Sequence, residues 1–225
     1  MTRQFTLIRR LLAVLSTTLA VGCLPYTVGS TAQTVPVGEM VRTTNAAFVL
    51  GGSAPFDDST GTGGTSANFL SSDVELRFGL SDHSDFGLRI PSASGLVVNY
   101  KRRHTGVANP DSAGFASMWG AGIVNWAQHA YVEGTLIWSG DRQGQTVRYG
   151  GLRVMQTYPI DEFALKDTPS LGAFVGFRWG TADRGVTPEL AIYYDESALQ
   201  IRERNVIFVP SVTLTGIGFL GRIFR

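Results

Sequence analysis

Ser72-Asp73-Val74-Glu75-Leu76-Arg77-Phe78-Gly79-Leu80 is followed by Ser81-Asp82-His83-Ser84-Asp85 and then by Phe86-Gly87-Leu88-Arg89-Ile90. Successive side chains of an extended chain point to opposite faces. Val74, Leu76, Phe78 and Leu80 therefore share one face, and Asp73, Glu75, Arg77 and Gly79 the other. In the last stretch Phe86, Leu88 and Ile90 oppose Gly87 and Arg89. The polar residues between the two runs are turn formers. The reading is a tight antiparallel pair, apolar on one face and charged on the other.

The same alternation recurs along the chain. Leu96, Val98 and Tyr100 oppose Asn99 and Lys101. Val132, Gly134, Leu136 and Trp138 oppose Tyr131, Glu133 and Thr135. Leu171, Ala173, Val175, Phe177 and Trp179 oppose Phe174 and Arg178. Leu190, Ile192 and Tyr194 oppose Glu189, Tyr193 and Asp195, and Val206, Phe208, Val212 and Leu214 oppose Ser211 and Thr213. Segment 115–126 is Gly-rich and aromatic, and 146–158 is a longer run with an ambiguous face. With 40–50 the segments come to about ten, and an even number of strands closes a bacterial barrel with both termini on one side.

The hairpin at 73–90 resembles a recurring one of bacterial outer-membrane β-barrels, in which a strand Glu-x-Arg-(Tyr/Phe)-Gly-(Leu/Ile) meets a short Asp-containing turn and a strand Asp-x-Gly-(Leu/Val)-Arg. The resemblance implies an all-β, antiparallel, up-and-down barrel of about ten strands over residues 38–225. Apolar faces would then meet lipid. Glu75, Arg77, Arg89, Lys101, Glu133, Arg178, Glu189 and Asp195 would face the lumen as a charge network. Phe78, Phe86, Tyr100, Trp138, Trp179 and Tyr194, near strand ends, suit an interfacial aromatic girdle. Long connections at 51–68, 159–169 and 196–204 fall on one side of the count, and short turns at 81–85 and 181–185 on the other. The 105–113 linker is longer than a turn on that side should be. The chain ends with its last aromatic, Phe224, one place short of the terminal position that such barrels use as an assembly signal.

The N-terminus reads as an export signal. Arg3, Arg9 and Arg10 precede the apolar stretch 11–21, and small residues lead to Cys23, the one cysteine in the chain. Leu19-Ala20-Val21-Gly22-Cys23 resembles the lipobox of bacterial lipoproteins. The resemblance implies a signal peptide over 1–22, cleavage before Cys23, diacylglycerol on its sulfur, and an acyl chain such as palmitate on its new amino group. A signal peptide without lipidation would leave a free thiol. The apolar stretch is shorter than the roughly 20 residues of a membrane helix. Residues 23–37 are expected to be a tether, and the address is the outer membrane of the cell envelope.

Composition bounds the function. A net charge of +1 gives no bulk attraction for nucleic acid. The 27 glycines, 11% aromatics and mean hydropathy of +0.08 suit alternating strands. His83, His104 and His129 are not at zinc-site spacing, so no metal and no cofactor is expected. His129, Ser139 and Asp141 are the available set for a lipid-modifying enzyme, but the strand count puts them on opposite rims. A barrel of this size is largely filled by side chains, so a lumen sealed by paired charges is expected over a narrow pore or ligand cup. Lys101-Arg102-Arg103-His104 is the densest cationic run, either a solvated strand end or a contact for lipid phosphate. The leading expectation is an outer-membrane barrel lipoprotein, structural or binding a small solute, with membrane lipid as its partner and no catalytic residues. The alternatives are a lipid-anchored, lipocalin-like periplasmic barrel with a hydrophobic ligand and, third, a lipid-modifying barrel enzyme.

Overall fold

Each strand pairs antiparallel with the next, and the first pairs with the last, so the sheet closes into a ten-stranded barrel. This computed structural model describes residues 24–53, 66–107, 109, 111–160, 169–181, 184–195 and 205–216. The strands are β1 (Met40–Ser53), β2 (Ser66–Ser81), β3 (Ser84–Pro91), β4 (Leu96–Arg103), β5 (Gly114–Val124), β6 (His129–Ser139), β7 (Thr146–Pro159), β8 (Ser170–Gly180), β9 (Gly185–Asp195) and β10 (Asn205–Thr215). Closure removes the sheet edges whose unpaired N–H and C=O groups invite aggregation. The "near end" below is the one at which β1 begins and β10 finishes; the other is the "far end".

The period-two pattern explains which face turns inward. Leu70, Trp119, Leu152, Leu171 and Val175 are exposed on the outside of the wall, Val175 by 64%. Glu75, Arg77, Asp85, Arg89, Lys101, Glu133, Arg153 and Glu189 are buried inside. Met118, Tyr131, Ile137, Tyr193 and Ile207 are buried beside them, so the inside is mixed while the outside is apolar, whereas a soluble barrel leaves its charges in water. The lipocalin-like alternative needs that arrangement. Exposed aromatics sit at both rims: Trp138 and Trp179 near one, Tyr158, Trp126 and Tyr194 near the other. Such girdles mark the two interfaces of a membrane barrel.

Two expectations are corrected. Residues 24–37 do not form a free tether, because they run inside the barrel. Tyr26, Thr27, Val28, Thr31, Ala32 and Val35 are buried there. The segment turns at the near end, where Glu39 N–H donates to Pro36 O at 3.0 Å and Val37 bridges Gly79. It then reaches into the far half, where the Tyr26 and Tyr193 rings meet edge-on at 5.4 Å. Gly79 is needed at the turn, since a Cβ there would lie 1.9 Å from Pro36 O. The second correction concerns 81–85. β3 begins at Ser84, which leaves a turn over Asp82 and His83 and puts Asp85 in the wall facing inward.

Signal peptide, Cys23 and C-terminal aromatic lie outside the described residues, as do most of the three long connections. The long 105–113 linker is explained by what it wraps. Carbonyls of Thr105, Asn109 and Ser112 accept from the Arg103 guanidinium, at 2.9, 3.3 and 2.9 Å.

Candidate functional site

The lumen is a site built from two layers, the charged inner face of the wall and the thread at 24–37. Alternation on β2, β3, β4, β6, β7 and β9 aims the charges inward, and inward glycines make room for them. A Cβ on Gly87 would lie 2.4 Å from Asn99 Oδ1 and 2.6 Å from Glu75 Oε1.

Toward the near end, Arg77 is the hub. Its guanidinium donates to Glu75 at 2.5 Å, to Asn99 Oδ1 at 2.8 Å and to Asp85. Asp85 is shared: Arg77 holds Oδ1, while Oδ2 lies 3.4 Å from Lys101 Nζ and accepts from the Val35 N–H at 2.9 Å. Lys101 also donates to Gln33 O at 2.5 Å and Ser30 Oγ at 3.0 Å. Ser139 Oγ accepts from the Ala32 N–H at 2.8 Å.

In the middle, the Thr27 carbonyl accepts from Arg89 at 2.7 Å and from Arg153 at 3.0 Å. Arg89 pairs with Asp73, and Arg153 with Glu133, which also accepts from Tyr131 Oη at 2.6 Å. Opposite them Glu189 clasps the thread. One carboxylate oxygen accepts from the Val28 N–H at 2.9 Å and the other from the Gly29 N–H at 2.9 Å, while Tyr149 Oη donates to the second at 2.8 Å. Gly29 sits at φ +57, and a Cβ there would lie 2.1 Å from Thr213 Oγ1.

This arrangement solves an electrostatic problem. Buried ions are tolerated only when paired and hydrogen-bonded, and an extended strand offers free backbone N–H and C=O groups along its length. The thread supplies donors to Asp85 and Glu189 and acceptors to Arg89, Arg153 and Lys101. The lumen is thus closed by backbone as well as by side chains. A cavity of about 540 Å³ remains between thread and wall, lined by Thr34, Val41, Lys101, Arg142 and Arg178 among others.

Of the residues singled out in the sequence, Glu75, Arg77, Arg89, Lys101, Glu133 and Glu189 lie together in the lumen. Arg178 is half-buried at the near rim, where it donates to Thr181 O at 2.9 Å. The side chain of Asp195 lies outside the described residues. Sequence reasoning missed Asp73, Asp85 and Arg153 as members. Asp73 was legible from its polarity and its place on the charged face with Glu75, whereas Asp85 ends a run that reads as a turn. Arg153 was hidden in a run with no clear face.

The cationic run splits between two faces. Lys101 and Arg103 point inward and Arg102 points outward, so the run does not form one lipid-facing patch. His129 opens β6 and Ser139 closes it, a strand of 11 residues apart. Asp141 Oδ1 accepts from the Ala113 N–H at 2.7 Å, so these three do not converge. Among the described residues no group of three His, Cys, Asp or Glu side chains could hold a metal ion.

No protein-family model matches the chain, and no curated protein matches it. Solved structures do. One similar structure is the COG4313 outer membrane channel from Pseudomonas putida F1, with TM-score 0.49, 11% identity, and 82% of this chain and 97% of that one covered. Neisserial surface protein A is similar with TM-score 0.43, 15% identity and coverage of 78% and 95%. The outer membrane protein OprG from Pseudomonas aeruginosa follows with TM-score 0.30, 12% identity and coverage of 83% and 96%. At these scores the pairing of the strands in this chain, and not the likeness, carries the description of its fold.

Proposed function

We propose that this protein is an outer-membrane β-barrel whose lumen is stoppered by its own N-terminal segment, with a structural or small-solute-binding role. The single observation that carries the reading is the inverted polarity of the wall. Exposed Leu, Val and Trp side chains surround a lumen that holds ion pairs beside an apolar cluster, and burying those outer apolar faces in lipid removes them from water at about 25 cal/mol per Å². The near end, with both ends of the barrel chain, faces the periplasm in this reading. A stoppered lumen fits a closed resting state. The cavity between thread and wall, lined by Lys101, Arg142 and Arg178, is where a small solute would bind.

Cys23 is the acylation site in the same reading. Leu24, to which it is joined, packs against the buried cluster around Tyr26. Acyl chains on Cys23 favour lipid at this end of the thread, at about 0.8 kcal/mol per buried CH₂.

The test is carbonate washing of membranes combined with gel mobility before and after heating. Retention with a heat-dependent shift is expected. Release by carbonate with no shift would overturn the membrane reading. Incorporation of labelled palmitate, abolished by Cys23→Ser, is the expected sign of acylation, and absence of label in the parent protein would remove it.

A further inference from the structure

We infer that the outer wall over the β9–β10 hairpin holds one phospholipid of the periplasmic leaflet, its phosphate on Arg148 and an acyl chain laid across the hairpin. The inference rests on the membrane reading above.

The wall is irregular at two seams. Between β8 and β9 the pairs run to Gly176↔Glu189 and resume only at Trp179↔Val186. Between β1 and β10 they run to Ala47↔Ser211 and resume at Leu50↔Phe208. Each break contains a proline of the hairpin, Pro188 or Pro210, which has no N–H to give to the ladder. Within the hairpin pairing is continuous, from Asn205↔Asp195 to Thr215↔Gly185. The hairpin is therefore continuously paired to itself, and each flanking seam keeps its register across a short break at its proline.

Over these seams lies a hollow of about 1000 Å³, with Val175, Trp179, Leu190, Val212 and Phe48 among its lining. Arg148 stands at its near-end side, next to Phe177 across the β7–β8 seam. Its side chain points outward and is exposed, and no described group pairs with it. Trp179 is close by at the level where amphipathic rings meet headgroups. Apolar lining toward mid-membrane and a planar guanidinium at the interface match a phospholipid, because the guanidinium fork fits phosphate oxygens bidentately. Arg42 and Arg102 also point outward at the near end, but neither lines this hollow. They are internal controls.

The experiment is native mass spectrometry of the purified, detergent-extracted barrel titrated with phosphatidylethanolamine, and separately with diacylglycerol, which has the tails without the phosphate. One retained phosphatidylethanolamine is expected, with much less diacylglycerol. Arg148→Ala and Arg148→Gln should each weaken retention about fivefold to tenfold, while Arg42→Ala and Arg102→Ala leave it unchanged. Equal retention of diacylglycerol would mean the hollow takes any apolar body, and equal loss in the Arg42 or Arg102 variants would mean generic interfacial pairing; either overturns the site. Each variant is first checked for heat-modifiable mobility, so failure of the membrane reading registers separately from failure of the lipid site.

Discussion

Replacing Glu189 with Gln should loosen the thread without removing volume. The carboxylate accepts the Val28 and Gly29 N–H groups on separate oxygens, and Tyr149 as well. A hydrogen bond to a charged acceptor contributes about 1.5–3 kcal/mol. The amide side chain keeps one acceptor oxygen and turns an NH₂ group toward the second backbone amide, so one bond is lost and a donor faces a donor. The bond that survives no longer has a charged acceptor. The expected cost is about 2–4 kcal/mol, a rise of roughly 30- to 900-fold in the population with the thread undocked. Thr31→Cys in a Cys23→Ser background reports that population. Thr31 is only 1% exposed, and its hydroxyl has no hydrogen-bond partner among the described residues, so the swap breaks no side-chain bond. With opening fast relative to modification, the rate of labelling by a water-soluble maleimide follows the open fraction. Equal labelling rates with and without the Glu189→Gln substitution, in barrels of unchanged heat-modifiable mobility, would refute the clasp.

Gly29→Val adds a Cβ that collides with Thr213 at a backbone angle suited to glycine, so the thread should be displaced and planar-bilayer conductance should rise above that of the parent. Arg153→Met leaves Glu133 without its ion-pair partner; a loss of about 3–5 kcal/mol is expected, read as a lower temperature for the gel-mobility transition. Leu152→Arg places a charge on the outer face, where Leu152 is paired with Leu136. In a bilayer it should cost about 2–4 kcal/mol and reduce assembled barrel, whereas a water-exposed wall would tolerate it.

Strand number and facing were legible in the chain because alternation is local: Val74-Glu75-Leu76-Arg77 states its own faces. The Pro188 and Pro210 breaks were not, since a proline marks an interrupted ladder without saying which neighbour it interrupts. The thread was hidden for a different reason. Residues 24–37 are polar and rich in Thr, Pro and Val, which is what a linker looks like, and they carry no charge that would betray ionic partners. Most of their charged partners are met through backbone groups, which say nothing in the sequence about what they bind. Asp85 was misplaced because a Ser-Asp-His-Ser-Asp run reads as one turn; its pairing with Lys101 across β4 makes it wall.

The thread also bears on the order of assembly. Val28 meets Glu189 across 161 residues of sequence, and Thr27 meets Arg153 across 126. Closing a loop of the first length costs about 4–5 kcal/mol in chain entropy beyond a constant, so this contact forms late. A wall that closed first would hold Glu189, Arg89 and Arg153 deprived of the backbone groups that satisfy them. A thread without a wall would have nothing to bind. The two steps therefore favour each other. Docking of the thread and closure of the β1–β10 seam, the one seam that joins the two ends of the sheet, are expected to be coupled.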